Sequence, residues 1–162
     1  MIHYRLIGLA LLPLVSFALA STALAADDGL ITVQSRHSVK ETVARFAEAV
    51  RSREAIGFMV FNEIDHAAAA KKFGLMLRPR TVIVFGNPKL GTPVMVKTPT
   101  LAIDVPPKAL VWEDDEGKVW LTYNSSEYLA KVIYVRHGLS ADQPWVTTFA
   151  GAVKAFADHA TQ

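Results

Sequence analysis

From residue 101 to residue 123 three strand-like runs follow one another with no helix between them, and this succession limits the fold more than any other feature of the chain. Leu101–Val105, Lys108–Glu113 and Lys118–Tyr123 each alternate or are rich in branched and aromatic side chains. The last two flank Asp114-Asp115-Glu116-Gly117, a turn sequence, and so read as a hairpin. Upstream, strands and helices alternate. Leu30–Arg36 reads as a first strand. Ser38 and Glu41 form a capping box ahead of a helix whose Val39, Val43, Phe46, Ala47 and Val50 share one face. Gly57–Ile64 reads as a second strand with both faces covered. Asp65 caps a short Ala-rich helix that ends near Phe73, with Gly74 just beyond it. Thr81–Phe85 is almost continuously apolar, as an interior strand should be. Asn87 and Pro88 suit the cap and first turn of a helix running to about Lys97. Asn124 with Glu127 opens a further helix, and a last one begins near Pro144 with Trp145, Phe149, Val153 and Phe156 as its apolar stripe. The order β-α-β-α-β-α-β-β-β-α-α predicts one α+β domain, not a doubly wound parallel sheet.

The first 25 residues stand apart from this domain. Arg5 precedes an apolar run from Leu6 to about Ala20, followed by the small-x-small site Ala23-Leu24-Ala25. That pattern is expected of a cleaved signal peptide, with residues 26–162 as the mature domain and a periplasmic or secreted location. Ala18-Leu19-Ala20 is a second cleavage site, and an uncleaved anchor is the competing reading. After cleavage no stable membrane insertion is expected. The chain has no cysteine, which removes disulfides, thiolate metal sites and thiol nucleophiles and leaves the core alone to hold the domain. Cleavage removes one of the 17 Lys and Arg side chains and none of the 15 Asp and Glu, for a mature net charge of about +1. So small a charge gives no general drive toward nucleic acid, and none is expected as a partner.

A set of local motifs carries a family resemblance. Ile64-Asp65-His66 is followed by Gly74, Arg78-Pro79 and the run from Phe85-Gly86-Asn87-Pro88 to Pro93. Pro106-Pro107-Lys108, Val111-Trp112-Glu113-Asp114 and Thr122-Tyr123-Asn124 complete the set. Over about residues 33–139 the chain resembles the domain of unknown function called the DUF302 family. The resemblance implies a single compact α+β domain, mostly antiparallel sheet packed by helices in a TATA-binding-protein-like arrangement, and a homodimer. It implies no established activity and no nucleic-acid binding; no cofactor is expected. The helix at about residues 144–158 lies beyond the resembling part and reads as an extra C-terminal element.

Candidate chemistry centres on polar residues at strand ends. His66 can serve a metal or a proton, but adjacent helical residues do not face one another, so Asp65 reads as a cap and not as its partner. No two histidines have helical spacing; a metal or haem site on His66 would need partners from distant segments such as His37, His137, His159, Met59, Met76 or Met95. Gly86–Pro93 offers a helix N-terminus with Asn87, Lys89 and Thr92, which suits a small anionic ligand, yet no Gly-Lys-Ser/Thr closes it as a P-loop. Glu113–Glu116 reads as a solvated hairpin tip, and no Gly-x-Ser-x-Gly is present. Trp112 and Trp120 should meet across the hairpin. The leading expectation is a non-catalytic domain that binds a small ligand or protein partner through His66, Asn87, Lys89, Thr92, Tyr123 and Asn124. The alternatives are a metal- or haem-binding protein using His66, and an enzyme of unfamiliar class with His66, Asn87 and Tyr123 in one pocket.

Overall fold

The structure is a computed structural model that describes residues 29–162; the expected signal peptide lies outside them. Five strands form one antiparallel sheet in the order β1-β5-β4-β3-β2. They are β1 (Leu30–Ser35), β2 (Met59–Asp65), β3 (Arg80–Gly86), β4 (Lys108–Glu113) and β5 (Val119–Asn124). β4 and β5 form the expected hairpin, and β1 returns to pair with β5. The helices are α1 (Val39–Arg51), α2 (His66–Lys71), α3 (Pro88–Lys97), α4 (Ser126–Tyr128, continued as a π-helix over Leu129–Tyr134) and α5 (Val146–Thr161). α1 and α5 lie on one face of the sheet.

That face is apolar because strand side chains alternate. Ile83 and Phe85 of β3, Ala109 and Val111 of β4, and Val119, Leu121 and Tyr123 of β5 all point to it and are buried. α1 supplies Phe46 and Val50, and α5 supplies Phe149, Val153 and Phe156. Phe46 sits at the middle, edge-on to Phe85 at 5.1 Å and to Phe156 at 6.1 Å. Its ring is fully buried.

Local signals position several of these elements. Ser38 Oγ accepts from the Glu41 amide at 3.2 Å, but Glu41 does not reach back; its carboxylate pairs with His37 Nδ1 at 3.1 Å. Asp65 Oδ1 accepts from the Ala68 amide at 2.9 Å, as a cap should. The last cap is Ser125, one residue after the expected Asn124; its Oγ accepts from Tyr128 N at 3.1 Å. Trp112 and Trp120 pair across the hairpin with ring centroids 6.3 Å apart. Asp114 ties the tip: Oδ2 accepts from Trp120 Nε1 at 2.7 Å and Oδ1 from the Glu116 and Lys118 amides. The first of these bonds contributes most to holding the Asp114 carboxyl below its ordinary value.

Two strand readings fail as well. Leu101–Val105 is not a strand. Pro99 starts a 3₁₀ turn over Pro99–Ile103, and Pro106-Pro107 lies too close behind it for a ladder to form. β2 is not covered on both faces. It is an edge strand, and Met59, Phe61 and Ile64 are each about two-fifths exposed.

The 3₁₀ turn is instead held by a buried histidine. His137 bonds Asp104 Oδ2 through Nε2 at 2.6 Å and Thr100 Oγ1 through Nδ1 at 3.0 Å, and its side chain is 6% exposed. Arg136 stands 3.4 Å from the same carboxylate. The bond from His137, and after it the Arg136 charge, hold the Asp104 carboxyl below its ordinary value near 3.8, against some desolvation.

Phe46→Ala should cost about 3–5 kcal/mol of stability, read as a lower midpoint in urea. Asp104 has a depressed native pKa, so its contribution is complete above its unfolded value and is lost as pH falls through the lower native one. Asp104→Asn should therefore melt earlier than the wild type at neutral pH, and the gap should close as pH is taken from about 4 towards 2.

Candidate functional site

β3 ends at Gly86 where four other segments converge, and a cavity of about 90 Å³ opens there to solvent. Gly86 lets the segments approach closely: a Cβ at this position would lie a tight 3.3 Å from Pro106 and in ordinary contact, at 3.6 Å, with both Phe61 and Pro107. The Phe85 amide donates to the Pro107 carbonyl at 3.1 Å and fixes that wall. α3 adds Leu90 and Met95, the π-helix adds Leu129 and Tyr134, and α5 adds Phe149 with Trp145 at its N-cap. π-helical turns are rare and concentrate at functional sites; this one contributes two wall residues.

The wall is aromatic and continuous with the core. Tyr134 and Trp145 are 4.9 Å apart by centroid, Trp145 meets Phe149 edge-on at 5.8 Å, and Phe149 stacks on Phe85 at 6.5 Å. Burial pushes the Tyr134 hydroxyl pKa up. The indole Nε1 of Trp145 is buried with no hydrogen-bond partner. An indole N–H can only donate, and leaving a buried donor unpaired costs about 1–3 kcal/mol. The cavity is therefore lined mainly by apolar side chains, and one of its lining residues, Trp145, holds an unmet donor that is itself shielded from solvent.

The polar residues expected to share a site are dispersed. Asn87 borders the cavity, but its Nδ2 donates to the Ile56 carbonyl at 3.1 Å and its Oδ1 lies against Gly57, where a Cβ would be only 2.6 Å away. Lys89 extends across Gly57 and donates from Nζ to the Ala55 carbonyl at 3.3 Å. Gly57 is left-handed, with φ of 104°, so a side chain there would be strained as well as crowded. Asn87 and Lys89 thus clamp the turn before β2. Thr92 is exposed on α3. Asn124 closes β5 opposite Leu30. Tyr123 lines a separate groove between β1 and α5, and both burial and the Asp158 charge raise its pKa.

His66 begins α2, beyond the end of β2 that pairs with Thr81 of β3. Gly86 is at the other end of β3, about 20 Å away by strand rise. His66, Asn87 and Tyr123 therefore do not share a pocket, which corrects the one-pocket arrangement. Among the described residues no three His, Cys, Asp or Glu side chains form a group able to hold a metal, and Met95 stands at the cavity, far from His66.

Sequence reasoning found Gly86-Asn87-Pro88 but not the rest of the wall. Trp145 and Phe149 read only as the packing stripe of α5. Phe61 and Tyr134 carried no local signal, because the cavity joins segments up to 88 residues apart in sequence, from Phe61 to Phe149.

Comparison with known proteins extends the picture. A protein of Brucella suis biovar 1 (strain 1330) named Fluoride-specific ion channel FluC 1 is 49% identical over 118 residues, 72% of this chain and 44% of that protein. One of Brucella abortus biovar 1 (strain 9-941) with the same name is 49% identical over 118 residues, 41% of its length. The chain thus spans less than half of these curated relatives. Among the described residues no helix is long and apolar enough to cross a membrane. The crystal structure of an uncharacterized conserved protein DUF302 from Bacillus stearothermophilus has the same fold, with a TM-score of 0.65 at 16% identity over 83% of this chain and 99% of that one. The model for the domain of unknown function DUF302 matches residues 31–156, which takes in most of α5 as well as the sheet. The C-terminal helix is therefore part of the family's domain and not an addition to it, and this chain belongs to the DUF302 family.

Proposed function

We propose that this domain binds a small, mostly apolar ligand carrying one hydrogen-bond acceptor, in the cavity at the end of β3. The observation that supports this reading is the buried, unpartnered Nε1–H of Trp145, a residue of a wall made mainly of Phe, Tyr, Pro, Leu, Val and Met, with Asn87 at its border. A dry apolar cavity of about 150 Å³ accepts benzene; this smaller, open one suits a ring or branched end whose remainder emerges into solvent. A carbonyl or ether oxygen at that end would meet the indole donor on a turn of the Trp145 ring that brings Nε1 to the cavity surface. The expected export rests on the N-terminal pattern, and the expected homodimer on the family resemblance; both belong to this proposal.

Nuclear magnetic resonance of the indole N–H groups tests it. Cyclohexanone should move the Trp145 indole resonance, and methylcyclohexane, which has no acceptor, should bind more weakly. Trp145→Phe keeps an aromatic wall without the donor. It should leave the unliganded domain as stable or more so, and should erase the preference for the ketone. A Trp145 resonance that neither compound shifts would sink the reading.

The Brucella proteins favour a second reading, that the domain is the extramembrane companion of an anion channel. In those longer proteins the matched 118 residues would then stand beside a pore carried by the rest. Liposomes holding this chain alone should release no fluoride to a selective electrode. Fluoride release from them would make the chain itself the channel and overturn that reading.

A further inference from the structure

The two edges of the sheet are built differently. β2 has a bulge between Val60 and Asn62 and carries Glu63 and Asp65, features that keep another strand from pairing. β1 has neither. Its sequence, Leu-Ile-Thr-Val-Gln-Ser, holds no charge and no proline, and its register with β5 is unbroken over six pairs. The Ser125 amide donates to the Gly29 carbonyl at 2.7 Å, so Gly29 and, by alternation, Ile31 and Val33 turn their peptide groups toward β5. Those of Thr32 and Gln34 face away from β5, toward an edge on which no further strand pairs among the described residues. Arg36 is next in the outward series, and its amide donates to Thr161 of α5 at 3.0 Å. The end of α5 therefore closes the far side of this edge.

Between β1 and α5 lies a groove of about 500 Å³. Ile31 and Val33 form its floor. Its helical wall is low at Gly151, where a Cβ would meet nothing within 4 Å. Lys154 and Asp158 on that wall neutralise each other at 2.6 Å. Glu127, at the α4 end, has no ion-pair partner among the described residues and leaves the groove one negative charge.

We infer that β1 and α5 form a docking groove for an extended segment of a partner protein. The segment adds to the sheet as a sixth strand, hydrogen-bonded to the outward peptide groups of Thr32 and Gln34. Every second side chain then enters the groove, since strand side chains alternate. Branched apolar side chains fit over Ile31 and Val33, and a lysine or arginine meets Glu127. Edge strand, flanking helix and alternate pockets are the parts that strand addition uses elsewhere: main-chain bonds hold the peptide and pockets select it.

Selection from a random twelve-residue peptide library on the purified protein is the test. Enriched peptides should alternate apolar residues and carry a basic residue near one end. They should shift the Thr32 and Gln34 amide resonances. Gln34→Pro removes an outward N–H that the sheet itself does not use, so the fold should survive while affinity falls at least tenfold. Gly151→Leu should raise the melting temperature by favouring the helix, yet also weaken the peptides at least tenfold by filling the groove. No enrichment, or equal binding by both variants, would overturn the inference. So would a dimer that Gln34→Pro turns into a monomer, because a second copy would then be what covers β1. None of these readings involves Trp145, so the cavity and the groove stand or fall separately.

Discussion

The contact of Phe46 with Phe85 and Phe156 is what the rest of the molecule rests on. It joins α1, the sheet and α5 at one point, and without cysteines no covalent link substitutes for it. The same aromatic packing extends outward. Phe85 stacks on Phe149, Phe149 meets Trp145, and Trp145 meets Tyr134 at the cavity. Core and candidate site are therefore one packed chain of rings, and the position of the Trp145 indole is set by interactions that begin at the centre of the domain.

Much of the fold was legible because it is written locally. Ser38 and Asp65 announce their helices by hydrogen bonds within four residues. Pro88 and Lys97 bound α3 as expected, and the turn from Asp114 to Gly117 fixes the hairpin. Where the reading failed, a non-local term or proline won. The segment Leu101–Val105 has strand composition, but Pro99 and the Pro106-Pro107 pair leave it no ladder to join. β2 has an apolar sequence that suggests burial, and only the strand order shows that it is an edge.

The site was much less legible. The motif reading singled out the Gly86-Asn87-Pro88 junction, which borders the cavity, but gave no sign of where its polar side chains are bonded. Asn87 and Lys89 look free in sequence, but their hydrogen bonds go to the carbonyls of Ile56 and Ala55, about thirty residues upstream. His137 had no local partner to mark it, since Asp104 and Thr100 reach it from more than thirty residues away. Burial of a donor such as Trp145 Nε1 is a property of the assembled wall, and no spacing rule encodes it.

The pairing of the first strand with the last has a consequence for how the molecule is made. Thr32 and Thr122, whose hydroxyls meet at 3.0 Å, are 90 residues apart, and Arg45 reaches the His159 carbonyl across 114. A chain emerging from a ribosome can form α1 early, yet β1 has no β5 to pair with, and α1 no α5 to lie against, until residues 119–161 have been made. Such contacts close slowly and late.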